Sequence, residues 1–477
     1  MRSIFLSVAR VFCVTCPLLL LGSVQGAVAQ TTPTDTISAD LTLDDAVRIA
    51  LSESPTVQIG DLAVRKQQYS LQSAYGQLFP SISFSTKYSY TIKKQVMYLD
   101  GFPGASQMPK EMMEKGIEIG RTHNIQGGFS AGLPLVNLQL WESISLSKDA
   151  VELSLRKAQT SRIDKVCEVR KAFYTALLAR DAYDVLKQSY ENAQDNYKRI
   201  SNLYAQGLVA KYDLIRGEVQ IKNIEPSLLE AENNVVLTRR ALLVMMGLDP
   251  SEYEEVKPMG KLTNYADEVA HTYLSGEQLS IEGNAQLREL ETQRRMQERS
   301  LQLAKNAFVP TLSAGMVYNF NYTSNDFKLN NKRLWTPFSA VTVNFSFPLL
   351  QGGSRYFKIK QEKISLMQLD WSRKDAERQL DLGMQRYRNQ LRTSSRSLAA
   401  ADNAVKAAKQ GYEIAQKRYE TGQGTLLEVN DANVSLLQAQ LNYDQAIFSM
   451  LQARAEMDKI AGKGLPDEAD SNTNQQQ

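Results

Sequence analysis

Four stretches of this chain alternate apolar and polar residues with a period of two, which predicts strands whose side chains divide between two faces. In the first, Ile82, Phe84, Tyr88, Tyr90 and Ile92 lie opposite Ser83, Ser85, Lys87, Ser89 and Thr91. The second sets Ile125, Phe129, Ala131 and Leu133 against Asn124, Gln126, Gly128 and Ser130. The third sets Leu312, Ala314, Met316, Tyr318, Phe320 and Tyr322 against Ser313, Asn319, Asn321 and Thr323. The fourth sets Val341, Val343, Phe345 and Phe347 against Thr342, Asn344 and Ser346. After each pair of strands the period changes. Tyr183, Leu186, Tyr190, Ala193, Tyr197, Ile200 and Tyr204 recur at alternating spacings of three and four, as do Leu398, Ala401, Val405, Ala408, Tyr412, Ala415 and Tyr419. Both series are heptad seams, which predict long helices packed side by side at shallow angles. Residues 138–203 contain no proline, and at 1.5 Å per residue such a helix extends roughly 100 Å.

The two sets of elements are copies of one plan. Tyr197, Tyr204, Gly207 and Gly247 correspond to Tyr412, Tyr419, Gly422 and Gly462 at a constant offset of 215. Phe79-Pro80 answers Val309-Pro310, and Leu133-Pro134-Leu135 answers Phe347-Pro348-Leu349. An ordered series of this kind marks an internal two-fold repeat. Each copy reads helix, strand, loop, strand, very long helix, glycine turn, return helix. The first copy spans 30–247 and the second 281–464, with a mixed linker at 248–280 and a polar, disordered tail at 465–477. The strands and long helices of each copy join at proline-marked ends. Those ends therefore share one side of the sheet, and the loops at 93–120 and 325–334 lie on the other.

Residues 1–29 read as a secretory signal: Arg2 and Arg10 precede the apolar run Val11–Leu21, and Ala27-Val28-Ala29 is a small-x-small cleavage site. No other stretch is apolar enough for a spanning helix, so an exported chain of this kind enters a membrane through strands. Apolar faces turned to lipid and polar faces turned to water suit a barrel. Four strands are too few to close one, so several chains each contribute two hairpins.

Charge and chemistry narrow the function. The 477-residue chain carries 55 Lys+Arg and 52 Asp+Glu, a net of +3, and without Arg2 and Arg10 the balance is 53 − 52 = +1. Nothing in that balance calls for nucleic acid. After removal of the signal, Cys167 is the one cysteine left, so no internal disulfide is expected. His123 and His271 are the only histidines, and no Cys/His metal spacing, Walker loop or Gly-x-Ser-x-Gly occurs. The chain reads as a non-enzyme without a cofactor. A trimeric coiled-coil surface protein with a β-barrel membrane anchor is the alternative to a channel. Its anchor would form one set at a terminus, whereas here two sets interrupt the chain.

The opening Leu41-Thr42-Leu43-Asp44-Asp45-Ala46-Val47-Arg48-Ile49-Ala50, the junction Pro348-Leu349-Leu350-Gln351-Gly352-Gly353, and the paired turns Tyr204 to Leu214 and Tyr419 to Asp431 together resemble the TolC family of outer-membrane efflux proteins. The resemblance covers about Leu41 to Gly462. It implies an α+β membrane protein, a TolC-like trimer whose four strands per chain make a 12-stranded outer-membrane β-barrel continued by a 12-helix periplasmic α-barrel. It implies the exit channel of a tripartite efflux or type I secretion system, reaching from the outer membrane into the periplasm. Its partners would be a periplasmic adaptor, an inner-membrane pump or ABC transporter, and outer-membrane lipid. Carried over by position, Glu428 and Asp431 would form acidic rings at the periplasmic constriction, and Tyr419 and Asp213 would help hold that end shut. Gly207, Leu208, Val209 and Gly422 sit where adaptor tips would dock. This chain departs from the family pattern at Gly424, where an arginine would complete the latch.

Overall fold

The computed structural model describes residues 40–98, 115–266, 269 and 279–465. The predicted secretory signal, the middle of the loop at 93–120, part of the linker with His271, and all but the first residue of the tail lie outside the described residues. The first repeat holds β1 (Asp40–Leu41), α1 (Leu43–Glu53), α2 (Pro55–Gly76), β2 (Ser81–Tyr90), β3 (Gln95–Met97), β4 (Ile117–Ile119), β5 (His123–Val136), α3 (Leu138–Ala205) and α4 (Lys211–Met246). After β6 (Lys257–Pro258), the second holds α5 (Ala285–Asn306), β7 (Thr311–Ser324), β8 (Trp335–Ser346), α6 (Ser354–Glu420) and α7 (Leu426–Ile460).

β2, β5, β7 and β8 form one antiparallel sheet in that order. Its register carries the apolar face from strand to strand. Phe84 lies opposite Phe129, Phe129 opposite Tyr318, and Met316 opposite both Ala131 and Val341. Phe84 and Phe129 rings stand 4.9 Å apart, and the Phe320 ring lies where a Cβ on Gly127 would come within 2.6 Å of it. On the other face, the Ser83 and Ser130 hydroxyls bond at 2.8 Å. β2 and β8 are the edges, and among the described residues neither has a second neighbour.

One strand ends earlier than its pattern predicts. The ladder stops where the Thr91 N–H donates to the Thr122 carbonyl at 2.8 Å. Ile92 stands beyond it, 92% exposed, and β3 and β4 then pair as a small separate hairpin inside the loop at 93–120.

The helices α3 and α6, of 68 and 67 residues, run continuously from the sheet to the glycine turns. The return helices α4 and α7 have 36 and 35 residues, and α4 continues through Pro226. The seams pack as the heptads require: Ala193 and Ile200 are buried on α3, and Tyr412 clusters with Val429 and Leu436 of α7. The main core forms midway along the long helices. There Phe173 and Leu177 of α3 meet Leu242 and Met246 of α4, Ile447 and Met450 of α7, Val47 of α1, and Leu262 from the segment between the repeats. Arg180 fastens that segment by donating to the Pro258 and Gly260 carbonyls. Cys167 is buried, and desolvation pushes its thiol up to about 11, so it behaves as a small packing residue.

Asp444 of α7 lies at this waist, where burial and, secondarily, the Asp181 carboxylate push its own carboxyl up to about 7 from an ordinary 3.8. A carboxyl whose folded pKa is raised favours the folded state while it is protonated. Its contribution is full below about pH 4 and is lost as the pH rises through 7. Asp444→Asn removes that loss. The variant should melt higher than the parent at pH 8, by roughly 1–2 kcal/mol equivalent after solvent screening, and with little difference at pH 4. Melting curves at both pH values check this; an equal shift at both would exclude ionisation as the cause.

Candidate functional site

At the end of the helical body remote from the sheet, both hairpins turn by the same device. In the first, the Gly207 N–H donates to the Tyr204 carbonyl at 2.9 Å and the Leu208 N–H to Leu203 at 2.9 Å. In the second, Gly422 donates to Tyr419 at 3.1 Å and Gln423 to Arg418 at 2.8 Å. This pair of bonds satisfies the last carbonyls of a helix and needs a left-handed residue at its centre. Gly207 and Gly422 fill that position with φ of 76° and 73°. Leu208 projects 67% exposed, and Val209 beside it is half-buried.

The second tip carries the acidic pair. Thr425 caps α7 by accepting from the Glu428 N–H at 3.3 Å, which satisfies one of the free donors of the helix's first turn. Glu428 and Asp431 are both exposed, while Leu426, Val429 and Asn433 of the same turns are buried. The two carboxylates thus share the exposed side of α7's first turns. Tyr419 is half-buried, and among the described residues its hydroxyl has no hydrogen-bond partner. Burial first, and the Asp213 carboxylate of the first hairpin second, hold that phenol above its ordinary value. Tyr419 and Asp213 are therefore electrostatic neighbours across the two hairpins.

Three features escaped the sequence reading. Arg199 of α3 pairs with Glu420 of α6, and with the Gln416 amide turned so that its oxygen faces Arg199, two further bonds form at 2.8 and 3.0 Å. Arg418 reaches across the second turn to Glu428, Nη1 to Oε2 at 3.5 Å. Between α3 and α7 the packing is polar: Asn433 donates to the Ser189 hydroxyl at 3.0 Å, and Ser189, Asn196, Asn430 and Asn433 are all buried. The spacing Val429-Asn433-Leu436 holds the signal for this seam, but hydropathy assigns such an asparagine to solvent.

A family model for outer membrane efflux proteins matches residues 46–248 and 277–463, which include both hairpins. The chain belongs to this family. It is similar to the outer membrane protein TolC of Vibrio cholerae, 23% identical over 349 residues, covering 71% of this chain and 78% of that protein. TolC of Salmonella enteritidis is 19% identical over 398 residues, covering 80% and 74%. Among solved structures, the Campylobacter jejuni CmeC outer membrane channel superposes with a TM-score of 0.70 at 16% identity, over 91% of this chain and 88% of that one. The Neisseria gonorrhoeae MtrE channel in its open state gives 0.66 at 15%, over 89% of each. The TolC-like channel fold follows. As an outer membrane efflux protein, the chain resides in the outer membrane, extends into the periplasm, and serves as an exit channel rather than as a member of an enzyme family.

Proposed function

We propose that three copies of this chain close into one continuous conduit, with 3 × 4 = 12 strands in the barrel and 3 × 4 = 12 helices in the tunnel. The observation that carries this is the sheet: four strands with one apolar face, one polar face and two open edges, joined to helical hairpins long enough to reach far into the periplasm. Open edges are not tolerated in lipid, so β2 of one chain pairs with β8 of the next. The apolar face meets outer-membrane lipid and the polar face lines the pore. Among the described residues no helix is long and apolar enough to cross a membrane, which leaves that task to the strands.

The two tips form the periplasmic end. Gly207, Leu208, Val209 and Gly422 offer an exposed edge to a periplasmic adaptor. Glu428 and Asp431 line the constriction, with Tyr419 and Asp213 beside it where the two hairpins meet. Energy for transport comes from an inner-membrane pump or ABC transporter docked through that adaptor. Purified protein in planar bilayers should give small, discrete channel currents and should run as a heat-resistant trimer on gels. A monomer without currents would refute the conduit, and a trimer without currents would favour a surface rod with a membrane anchor.

A further inference from the structure

The second tip holds a cation that the conduit reading does not use. Arg418 stands just before the turn, its Nη2 donating to the Gln423 carbonyl at 3.1 Å and its Nη1 lying 3.5 Å from Glu428 Oε2. The guanidinium thus spans the turn and meets the first of the two exposed carboxylates. Gly424 leaves room for the crossing. A Cβ there would stand 3.1 Å from Arg418 Cβ and 3.2 Å from Glu428 Oε2, in the space the arginine and the carboxylate share.

The internal repeat shows that these features belong together. At the offset of 215, Arg418 corresponds to Leu203, Gly424 to Val209, Glu428 to Asp213 and Asp431 to Arg216. The first tip has a carboxylate at the Glu428 position but neither the arginine before the turn nor the glycine that admits it. Only the second tip combines all three. Asp431, one helical turn beyond Glu428, has no ion pair with a cation among the described residues.

We propose that Arg418 is a built-in counter-ion that determines the charge of the closed mouth, and with it the mouth's selectivity among ions. This rests on the reading of Glu428 and Asp431 as the constriction. Each chain then presents two carboxylates and one guanidinium, a net of one negative charge rather than two. Both partners are about half exposed, at 53% and 44% of the side chain, so the pair adds little to stability. Its effect lies in the field instead, because a narrow opening with low-dielectric walls concentrates the potential of whatever charge lines it. The occluding power of the ring toward multivalent cations is therefore set by a sum of charges to which Arg418 contributes.

The test uses the full-length purified protein in planar bilayers, with lanthanum ions added on the periplasmic side and the ratio of K+ to Cl− permeability measured alongside. Arg418→Gln makes the mouth more negative and should tighten lanthanum block by roughly threefold or more, with a rise in K+ preference. Glu428→Gln makes it less negative and should weaken block by a similar factor. The double variant Arg418→Gln/Glu428→Gln restores the parent's net charge and should return block to near the parent's value. Arg418→Lys, which keeps the charge and loses the planar fork, should also stay close to the parent. Compensation in the double variant separates a counter-ion from a structural cap, since a lost cap is not repaired by removing Glu428. If Glu428→Gln weakens block but Arg418→Gln leaves it unchanged or weakens it, the counter-ion is refuted and the acidic constriction stands. If Glu428→Gln leaves block untouched, both fall.

Discussion

Replacing Glu428 and Asp431 together by alanine should release most of the block that multivalent cations impose from the periplasmic side. In the proposed trimer, with both residues at its mouth, two carboxylates per chain would bring 2 × 3 = 6 acidic groups to one opening. Like charges held this close attract counter-ions of high valence in preference to single ones, because a multivalent ion satisfies several carboxylates without crowding the aperture. Removing all six should weaken block by roughly tenfold or more. Assembly should be retained, since both side chains are exposed and the buried contacts of these turns come from Leu426, Val429 and Asn433. The Thr425 cap also survives, because it uses the backbone N–H of Glu428 rather than its carboxylate. Titration of block in single-channel recordings, with trimer yield measured in parallel, checks this. A double variant blocked as strongly as the parent would move the constriction elsewhere in the tunnel and leave the exit channel intact.

The difference between what the sequence discloses and what it conceals has a physical cause. A period of two is a property of one strand alone, so the division of Phe84, Phe129, Tyr318 and Val341 from Ser83, Ser130 and Asn344 needs no knowledge of the partner strands. The heptad seams are equally local, and so are the glycine turns, because Gly207 and Gly422 are called for by left-handed backbone at a helix end. Interactions that cross between elements are of another kind. The Arg418–Glu428 pair depends on which way two long side chains run over a turn, and the Arg199–Glu420 pair joins helices 221 residues apart in sequence. Charged residues on helices are ordinarily solvated, so neither pair stands out from composition. The Asn433–Ser189 contact is hidden for the opposite reason. Its members are buried, and a pattern built on hydrophobicity reads buried asparagine as surface. The early end of β2 belongs here too: Ile92 continues the alternation in sequence, but the ladder that would give it a partner ends at Thr91.

The family resemblance reaches further than pattern at the turns, and it is there that this chain departs from the family. At Gly424 the side chain expected to bridge the hairpins is absent, and the cation of this tip comes instead from Arg418, six residues earlier in the chain. The bonds between hairpins are supplied by Arg199 with Glu420 and by the asparagine seam. The same helical frame can thus carry different contacts between its hairpins, because the frame itself is packed at the waist and paired in the sheet.

That waist is joined by two equivalent close approaches, and they support the largest stability effect we expect. Gly247 ends α4 with φ of 90°, against the Glu53 carbonyl and Ser54 Cα at the start of α2. Gly462 follows α7 with φ of 70°, against the carbonyl of Gly283 just before α5. In each repeat the end of the return helix sits on the N-terminus of the helix that leads into the strands. Asn284 ties the second junction by donating to the Ile460 carbonyl at 2.8 Å while its side-chain oxygen caps α5. A Cβ on Gly462 would lie 2.1 Å from the Gly283 oxygen, so Gly462→Ala forces two backbones apart and breaks that cap. Gly422 at the tip is the matching control. Its φ is 73°, nearly the same, but a Cβ there would meet nothing within 4 Å. Gly422→Ala should therefore cost only the left-handed strain, about 1–2 kcal/mol, and give trimers with normal currents. Gly462→Ala adds the clash and the broken cap to that strain, about 4 kcal/mol or more in all, and should leave little heat-resistant trimer in membranes. Quantifying trimer from membranes of the two variants side by side decides the matter. Equal yields would show that the junction relaxes freely and that backbone conformation alone explains the glycine at 462.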